Sequence, residues 1–300
     1  MNNYKKIFRS AKIRHRILSV LRCLPDKEMI RLQYRIKMGK KLNLKQPKTY
    51  TEKIQWYKLY YHNPLMTMCA DKHLVRKFLE NRGYKNLACH EYGVYNRPED
   101  IRYEDLPDRF VIKTTNGSGT NIICKDKSQF QIEKARNELR EWLKRDCYGL
   151  GREWAYKDIT PRIIIEELLE DKENIYDGIN DYKFLCFDGR VHYIVFDADR
   201  YVSHKRNIYD ADWNYVDVGT DCDKLGDVIP KPEGFEKMKC IAEDLSKDFP
   251  FVRVDLYWVN HRAYFGELTF YPWTGYVVFD PRNFDMILGE KFILPAKLTD

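Results

Sequence analysis

Two short runs near the C-terminal end of the chain constrain its fold most. Residues 252–256 read Val-Arg-Val-Asp-Leu and residues 265–269 read Phe-Gly-Glu-Leu-Thr, with a tight turn expected at Asn260. Both runs have the composition of strands and only a few residues separate them, so we expect them to pair antiparallel. Because alternate side chains of a strand share one face, this hairpin would bring Asp255 and Glu267 together.

The pair of Asp255 and Glu267 predicts a metal site. Two facing carboxylates repel each other unless a cation lies between them, and oxygen ligands of this kind suit a Mg²⁺ ion that bridges nucleotide phosphates. Arg253 and Thr269 would flank the two acids on the same face. A surface cross-strand pair, in which Arg253 neutralises one of the acids, is the alternative interpretation, and the two runs alone leave both open.

An apolar strand that ends in a lysine predicts a phosphate site. Residues 110–113 read Phe-Val-Ile-Lys, and residues 114–121 continue with Thr-Thr-Asn-Gly-Ser-Gly-Thr-Asn. Small, flexible residues let successive backbone N–H groups turn toward phosphate oxygens, and Lys113 would add a positive charge. An ordinary hairpin loop has a similar composition, and the run lacks the G-x-x-x-x-G-K-[ST] pattern of a P-loop. The phosphate interpretation therefore depends on the rest of the chain.

The remaining pattern mixes helices with strands. Apolar residues at every third or fourth position predict two helices between residues 9 and 40, separated near Pro25, and further helices over 47–60, 71–82, 132–145 and 232–248. Strand-like runs are expected over 110–113, 121–125, 162–168, 182–187, 191–197, 251–258 and 263–269. Asp188 and Gly189 form the Asp-Gly pair that is typical of a two-residue hairpin turn.

Positive charge is concentrated at the beginning of the chain. Residues 1–48 contain 15 Lys or Arg and only two acidic residues, a net charge of +13, whereas the whole chain carries +7. Such a segment suits an anionic surface, meaning the inner membrane leaflet, a phospholipid-linked substrate or nucleic acid. A solvated helical face, or a helix packed on the body, is the alternative. Since no nucleic-acid-binding pattern follows, we expect no nucleic-acid partner.

Composition bounds the class of protein. The 300 residues are 44% hydrophobic, which is enough for a substantial core, and no apolar run approaches the length of a membrane span. The N-terminus lacks the apolar block of a signal peptide, so we expect a cytoplasmic protein, with peripheral contact at the inner face of the membrane left open. The eight cysteines show no C-x-x-C pair, which argues against a zinc ribbon and a disulfide framework.

The order of these motifs resembles the ATP-grasp superfamily. A strand lysine with a Gly-containing loop is followed by an acidic strand end, then by R-x-D and then by E-x-T with Pro and Gly beyond it. The resemblance extends from about residue 47 to residue 293 and is closest to the TupA-like branch, which is associated with teichuronopeptide, capsule and O-antigen biosynthesis. It implies an α+β ATP-grasp fold, in which two α+β lobes clasp ATP and a basic helical extension precedes them in the sequence.

The resemblance also implies a domain division. We expect a basic helical extension over residues 1–46, an N-terminal helical or mixed region over 47–106, and the ATP-grasp lobes over 107–300, with a small lobe at 107–168 and a large lobe at 169–300.

Roles for individual residues follow from the same resemblance. Lys113 would hold the α- and β-phosphates of ATP, under a lid that comprises Gly117, Ser118 and Gly119. Adenine would be bound at Glu166 and Glu167, with the backbone of Leu168 or Leu169 completing the site. Asp181 would bind ribose, and Lys183 would contact phosphate.

Six further residues complete the implied catalytic site. Arg206, with Asn207 beside it, would contact the transferred phosphate and the substrate, and Arg253 would stabilise the tetrahedral intermediate. Asp255 and Glu267 would ligate Mg²⁺. Thr269 stands where many relatives have a metal-binding Asn, so its hydroxyl or a water would be the ligand. A second departure from the family is Trp273, which precedes Thr274 and Gly275 where a small Pro-Gly turn is usual.

The implied function is an ADP-forming carboxylate–amine ligase that acts through an acyl phosphate. We expect it to join an amino acid or small amine to a uronic acid of a cell-surface polysaccharide or of a lipid-linked precursor. The alternative is a metal-dependent glycosyltransferase, because Asp-x-Asp patterns occur at residues 197–199 and 210–212. A carbohydrate-binding module is a third interpretation, given the 14% aromatic content. The sugar, the amine, the carrier and the oligomeric state stay open.

Overall fold

A computed structural model describes residues 23–171, 174, 176, 178–198 and 203–299 of the chain. The helices in this part of the chain are α1 Asp26–Met38, α2 Tyr50–Tyr60, α3 Pro64–Ala70, α4 Val75–Asn81, α5 Ile132–Leu143, α6 Cys147–Gly151, α7 Phe235–Ser246 and α8 Phe284–Lys291. The strands are β1 Glu91–Tyr95, β2 Phe110–Thr114, β3 Asn121–Cys124, β4 Ile163–Glu167, β5 Asp181–Phe187, β6 Arg190–Ala198, β7 Lys205–Asp210, β8 Tyr215–Val216, β9 Asp223–Lys224, β10 Phe251–Val259 and β11 Arg262–Thr269.

The strands form two sheets. A four-stranded sheet has the order β1-β4-β2-β3, and a seven-stranded sheet has the order β11-β10-β5-β6-β7-β8, with β9 pairing alongside β7. Every pairing is antiparallel except that of β7 with β9. The seven predicted strands are present within one or two residues, whereas β1, β7, β8 and β9 were missed.

Local sequence explains the two tight hairpins. Asp188 and Gly189, between β5 and β6, both have positive φ values of 49° and 72°, and Asn260 and His261, between β10 and β11, have values of 49° and 60°. Two consecutive left-handed residues match the right-handed twist of the flanking strands. Both predicted turns are confirmed.

The predicted helices that fall within the described residues are also confirmed, with shorter bounds. Helix α2 begins at a capping box, in which the Thr49 hydroxyl accepts from the Glu52 N–H and the Glu52 carboxylate accepts from the Thr49 N–H. The helix predicted over 71–82 begins later, at Val75, and Asp71 accepts from the backbone N–H groups of His73 and Leu74 in the preceding turn. Helices α3 and α6, of seven and five residues, were not predicted.

Alternation of side chains gives each sheet an apolar face and a polar one. In the seven-stranded sheet, Val252, Val254 and Leu256 of β10 are buried in the larger core, together with Met238 and Ile241 of α7. In the four-stranded sheet, the smaller core contains Phe110, Ile112, Ile163, Ile165 and Leu139 of α5. The remaining faces of the two sheets supply the polar residues of the site described below.

Helix α1 belongs to the body of the protein. Met29, Ile30 and Tyr34 on its inner face have no exposed surface, and the Tyr34 hydroxyl lies 3.0 Å from the Thr51 hydroxyl of α2. This is the second of the two helices predicted at the N-terminus. The first falls on residues 9–22, which lie outside the described residues. Each helix in the described ranges is too short or too polar to cross a membrane.

The proposed domain division stays a prediction. The structure adds one fact that bears on it: β1, from the region at 47–106, pairs with β4 and completes the four-stranded sheet.

Candidate active site

A cavity of about 840 Å³ lies between the polar faces of the two sheets. We call its two sides the large-sheet wall (Asp181, Lys183, Arg253, Asp255 and Glu267) and the small-sheet wall (Val111, Lys113, Ile123 and Glu166). Most of the predicted site residues line it, namely Lys113, Ser118, Gly119, Glu166, Glu167, Leu169, Asp181, Lys183, Arg253, Asp255 and Glu267. The other three are Gly117, Thr269 and Arg206. Gly117 accepts from Lys72 and Thr269 donates to Glu267, and both of these partners line the cavity. Arg206 contacts Asp197, which in turn contacts the lining residue Lys183.

The β10–β11 hairpin builds the acidic end of the large-sheet wall. Asp255 pairs with Glu267 and Arg253 pairs with Thr269 across the strands, as the sequence predicts. Arg253 donates to both Asp255 oxygens, at 2.6 and 2.5 Å, and its Nη2 also donates to Glu267 at 3.2 Å and to Thr269 at 3.0 Å. The Thr269 hydroxyl donates to Glu267 at 3.0 Å. One arginine therefore holds both acids and the threonine on one face.

Gly266 interrupts the register beside these acids. After the pair of Asp255 and Glu267 the next pair is Leu256 with Phe265, so Gly266 has no partner of its own across the strand. A Cβ atom at this position would lie 3.0 Å from the Asp255 carbonyl oxygen and 3.2 Å from the Tyr257 ring. A glycine suits this bulge because a side chain here would press on the opposite backbone.

The two carboxylates of the hairpin differ in proton affinity. Burial would raise the pKa of Glu267, but Lys72 and Arg253 stabilise its charged form and lower the pKa below its usual value. Burial raises the pKa of Asp255 above its usual value, and the neighbouring charge of Glu267 adds to this effect against the opposing charge of Arg253. The pair thus concentrates negative charge on Glu267.

The donor set of this hairpin fits Mg²⁺. Two carboxylates and one hydroxyl on a single face are hard oxygen donors, and Mg²⁺ is usually held by one or two carboxylates together with substrate phosphates and waters. In the described part of the chain no group of three or more His, Cys, Asp or Glu residues could hold a metal ion. Phosphate and water oxygens would therefore complete the coordination.

A second ionic network extends the large-sheet wall across the sheet. The Lys183 ammonium donates to Asp181 at 2.8 Å and to Asp197 at 2.5 Å. Arg206 donates to both Asp197 oxygens, at 2.6 and 3.0 Å, and reaches Asp221 at 2.7 Å. Burial alone would raise the pKa of Asp197, but Lys183 and Arg206 hold it well below its usual value. Each buried charge in this network therefore has a counter-ion.

The small-sheet wall carries a single lysine–glutamate pair in apolar surroundings. Lys113 pairs across β2 and β4 with Ile164, and its ammonium donates to the Glu166 carboxylate at 2.8 Å. Arg76 of α4 contacts the other oxygen of Glu166. Burial would raise the pKa of Glu166, and the two cations lower it below its usual value. Glu166 therefore orients Lys113, a contact that the adenine role expected for it did not include.

The glycine loop after β2 is fixed at one point by a lysine from the preceding helical region. The Lys72 ammonium donates to the Gly117 carbonyl at 2.5 Å, and Gly117 and Gly119 have positive φ values of 71° and 72°. Burial lowers the pKa of Lys72, while the charge of Glu267 opposes that effect. The loop, the lysine and the acidic hairpin thus meet at one end of the cavity.

Comparison with known proteins identifies the family. The model of the TupA-like ATP-grasp family matches residues 52–293. The chain belongs to the TupA-like ATP-grasp family. No curated protein matches it.

Solved structures that match the chain include several ligases. D-alanine–D-alanine ligase from Bacillus anthracis is 18% identical, with 67% of this chain and 57% of that one covered and a TM-score of 0.40. The ATP-grasp ligase PsnB, complexed with a variant of its minimal precursor, Mg and ADP, is 13% identical, with 74% and 57% covered and a TM-score of 0.41. Phosphoribosylamine–glycine ligase from Thermotoga maritima is 12% identical, with 68% and 48% covered and a TM-score of 0.39. The chain spans less than two thirds of the length of each.

Family membership confirms two of the predictions made from sequence, the TupA-like ATP-grasp family and the α+β ATP-grasp fold. The roles of the individual residues stay predictions, and the geometry above describes where each one lies.

Three residues of this ATP-grasp site were missed from sequence. Lys72 contacts the glycine loop, Arg76 contacts Glu166, and Asp197 joins Lys183 to Arg206. Lys72 and Arg76 come from a helical region some forty residues before the loop, so no local pattern reveals them. Asp197 was visible only as part of an Asp-x-Asp pattern, and its strand position opposite Asp181 was the available signal.

The Asp-x-Asp patterns do not form a second acidic site in the part of the chain that the structure describes. Asp197 is buried and neutralised by Lys183 and Arg206, and Asp199 lies outside the described residues. Asp210 accepts from the backbone N–H groups of Asp212 and Asn214 at the end of β7, so it stabilises a turn. These contacts give the glycosyltransferase alternative no support.

Proposed function

We propose that this protein is an ATP-dependent, ADP-forming carboxylate–amine ligase that works through an acyl phosphate. The observation that carries the proposal is the pairing of Asp255 with Glu267 opposite Lys113 and Lys72 across one cavity. Acids that can hold a metal ion, facing cations that can hold phosphates, are the groups that transfer of a phosphoryl group needs. No nucleophilic side chain is required for this chemistry.

In the first step, a carboxylate oxygen of the substrate attacks the γ-phosphorus of ATP, and the bond from that phosphorus to the leaving ADP oxygen breaks. Lys113 and Lys72 would neutralise the phosphates of the nucleotide, and Glu166 would keep Lys113 oriented toward them. Mg²⁺, held by Asp255, Glu267 and the Thr269 hydroxyl, would supply charge neutralisation on the phosphate oxygens when bound.

In the second step, the amine attacks the carbonyl carbon of the acyl phosphate and loses a proton to water. The bond from that carbon to the phosphate oxygen then breaks, and phosphate leaves. A carboxylate resists such an attack because oxide is a poor leaving group, whereas phosphate is a good one. Arg253 would neutralise the negative charge that develops on the tetrahedral intermediate, and Arg206 with Lys183 would hold the departing phosphate. Both arginines are already fixed by carboxylates, so little reorganisation is needed at the moment of reaction.

The nucleotide base and sugar have their own proposed places. Adenine would lie against Glu166, Glu167 and the backbone of Leu169, and ribose would be bound near Asp181, under a lid formed by Gly117, Ser118 and Gly119. Apolar residues Val111 and Ile123 line the same side of the cavity, as expected where a flat base packs. We keep the proposed division into small and large lobes at residue 168 because the cavity lies between their sheets.

The substrate proposal is a uronic acid carboxylate, on a cell-surface polysaccharide or its lipid-linked precursor, joined to an amino acid or small amine. It rests on the resemblance to the TupA-like branch, which is associated with teichuronopeptide, capsule and O-antigen biosynthesis. A panel of uronates and amines, assayed for released ADP and phosphate with product mass measured, tests both the reaction and the substrate. Release of AMP, or no nucleotide turnover with any pair, contradicts the proposal.

We also propose contact with the anionic inner face of a membrane through the outer side of α1. Leu32 and Ile36 on that side are 36% and 42% exposed and lie one turn apart. The exposed cations around them are Lys27, Arg31, Arg35, Lys40 and Lys41. Apolar side chains within a basic surface favour binding to a lipid bilayer, because they can be buried among the lipids. Binding to the phosphates of a nucleic acid would use the cations alone.

Vesicle binding tests the membrane contact. Arg31→Gln with Arg35→Gln should weaken binding to phosphatidylglycerol vesicles by roughly 2 kcal/mol, or about 30-fold, at about 1 kcal/mol for each cation. Lys134→Gln with Lys144→Gln, two exposed lysines at α5, serve as the control and should change little. Point substitutions are preferable to a truncation because Met29 and Tyr34 of α1 are buried. Equal loss in both double variants, or none in either, contradicts a docking face on α1.

A further inference from the structure

The turn that follows β11 adopts an unusual backbone conformation. Trp273 has φ 52° and ψ 20°, Thr274 has φ 54° and ψ 21°, and Gly275 after them has φ 66°. Two consecutive residues with a Cβ atom rarely adopt the left-handed region, because the side chain then crowds the backbone. Such a turn persists only where surrounding contacts hold it, and strain of this kind is concentrated at functional sites.

The contacts that hold the turn come from helix α2. The Lys58 ammonium donates to the Thr274 carbonyl at 2.9 Å, and the Gln55 amide donates to the Thr274 and Gly275 carbonyls at 3.1 and 2.9 Å. Gly275 lies so close to α2 that a Cβ atom on it would be 2.6 Å from Ile54. Helix α2 therefore engages two carbonyls of the left-handed turn, those of Thr274 and Gly275.

The Lys58 ammonium has a second acceptor, which lies outside the turn that follows β11. Its ammonium also donates to the Gly151 carbonyl at 3.0 Å, at the C-terminal end of α6. The side chain is only 2% exposed, and burial lowers its pKa to about 7, against the opposing charge of Glu153. A lysine buried to this degree is costly unless its hydrogen bonds are made, so the two carbonyls account for its presence.

The two carbonyls that Lys58 contacts belong to segments that each touch a part of the proposed site. At the α6 end, Cys147 accepts from the Asn116 amide at 3.3 Å, and a Cβ atom on Gly117 would lie 2.7 Å from its sulfur, so α6 packs on the glycine loop. At the other end, the Trp273 ring lies 5.4 Å from the guanidinium of Arg206. Lys58 therefore stands between the loop that would cover the phosphates and the arginine that would contact the transferred phosphate.

We propose that Lys58 is a positioning residue for the ligase reaction, which holds α6 and the turn at Trp273 and Thr274 in fixed relation, and through them the glycine loop and Arg206. The inference rests on the proposed function for its kinetic readout. Among the described residues, the carbonyls to which the Lys58 ammonium donates are those of Gly151 and Thr274, and neither residue lines the cavity. Its removal should therefore leave nucleotide binding in place and reduce the rate of the chemical step. A misplacement of about 1 Å at a reacting group can cost about 100-fold in rate.

The test compares Lys58→Met with Lys53→Met in the full chain. Lys53 is the matched control, because it lies on the same helix and likewise donates to two backbone carbonyls, those of Gly289 and Phe292, both at 2.8 Å. In Lys58→Met we expect kcat to fall about 30- to 100-fold, with the Kd for ADP in the presence of Mg²⁺ unchanged within about threefold. Lys53→Met should change neither.

Hydrogen exchange supplies a readout that needs no substrate. In Lys58→Met, amides over residues 271–276 and over residues 147–152 should exchange faster together, whereas Lys53→Met should affect only residues 288–293. Should Lys58→Met fold poorly, Lys58→Gln keeps a polar group at this place, yet it is too short to reach both carbonyls, and the same pattern is expected of it.

The outcomes separate the two proposals. Faster exchange in only one of the two segments, or unchanged kcat in a folded Lys58 variant, overturns the positioning role. A loss of ADP affinity equal to the loss of kcat overturns it too, since Lys58 would then act on nucleotide binding. A wild-type protein that binds no ADP contradicts the proposed function instead, while the exchange experiment still decides whether Lys58 couples the two segments.

Discussion

The two walls of the cavity hold buried charge in different ways. On the large-sheet wall, Arg253, Lys183 and Arg206 each contact at least two acidic or polar partners, and cross-strand register links them over five strands. On the small-sheet wall, Lys113 and Glu166 form one pair, steadied from α4 by Arg76. The large wall is a network whose members depend on one another, whereas the small wall is a pair in apolar surroundings.

This difference suggests a division of work. A network of fixed charges is preorganised for a reacting centre whose charge changes, because the surrounding dipoles need not move. On the small-sheet wall the apolar residues Val111 and Ile123 lie beside Lys113, which suits a flat base next to its phosphates. Substitutions on the large wall should therefore affect catalysis and stability, and those on the small wall should affect nucleotide affinity.

The largest expected effect is that of Glu267→Gln on turnover. Loss of one of two facing carboxylates would weaken charge neutralisation at the metal, so we expect kcat to fall by about 1,000-fold or more, with the thermal unfolding midpoint little changed. The glutamine oxygen can still accept from Arg253 and Thr269, which keeps the hairpin intact. Glu236→Gln, an exposed acid on α7, is the control. Near-normal activity at saturating Mg²⁺ would remove Glu267 from the proposed metal site.

The second effect sharpens the contrast in stability. Lys183→Met removes the shared cation from Asp181 and Asp197, whose side chains are each 1% exposed. Uncompensated buried charge costs about 3–5 kcal/mol, so we expect a drop of that size in the free energy of unfolding, measured by urea titration at neutral pH. Arg206 still contacts Asp197 and would limit the loss. A change below about 1 kcal/mol would show that the network is not interdependent.

The smallest effect concerns the small wall. Lys113→Met leaves Glu166 with Arg76 as its partner, so we expect a stability loss of less than about 1.5 kcal/mol. Affinity for ADP should nevertheless fall roughly 10- to 100-fold, since one charge-assisted contact of about 1.5–3 kcal/mol is lost. Calorimetric titration of the variant with ADP and Mg²⁺ measures this. If Lys113→Met kept the wild-type affinity for ADP but lost much of its free energy of unfolding, the small wall would contribute to stability and not to nucleotide binding. That result would contradict the comparison between the walls.

Much of the site could be predicted because its residues are close in sequence. The facing pair of Asp255 and Glu267 depends on strand alternation, on a two-residue turn at Asn260 and on the bulge at Gly266, without which Asp255 would pair with Gly266. The turn and the alternation could be predicted from short stretches of sequence, whereas the bulge was not. Lys113 and the glycine loop could be predicted because they follow one another directly in the sequence. Where the partners come from distant elements, as with Lys72, Arg76 and Lys58, no local pattern distinguishes them from solvated surface lysines and arginines.

Helix α1 shows a second limit of prediction from the sequence. Its many cations suggested a basic segment separate from the enzyme, and both a solvated face and a packed helix were left open. The structure buries Met29, Ile30 and Tyr34 against α2 and leaves Leu32 and Ile36 outside. Periodicity identified the helix, but which of its apolar residues face the body depends on the neighbouring helix.

By itself, the sequence determined the family, the α+β class and the two hairpin turns, because motifs and turn chemistry act over a few residues. The acidic pair was predicted too, but the bulge at Gly266 sets the register that brings Asp255 and Glu267 together. Tertiary structure alone decided that Arg253 holds both acids, that Asp197 joins Lys183 to Arg206, and that Lys58 bridges Gly151 and Thr274. The physical reason is that a charged side chain has many candidate partners along the chain. The choice among them follows from burial and sheet register, which exist only once the strands and helices are packed.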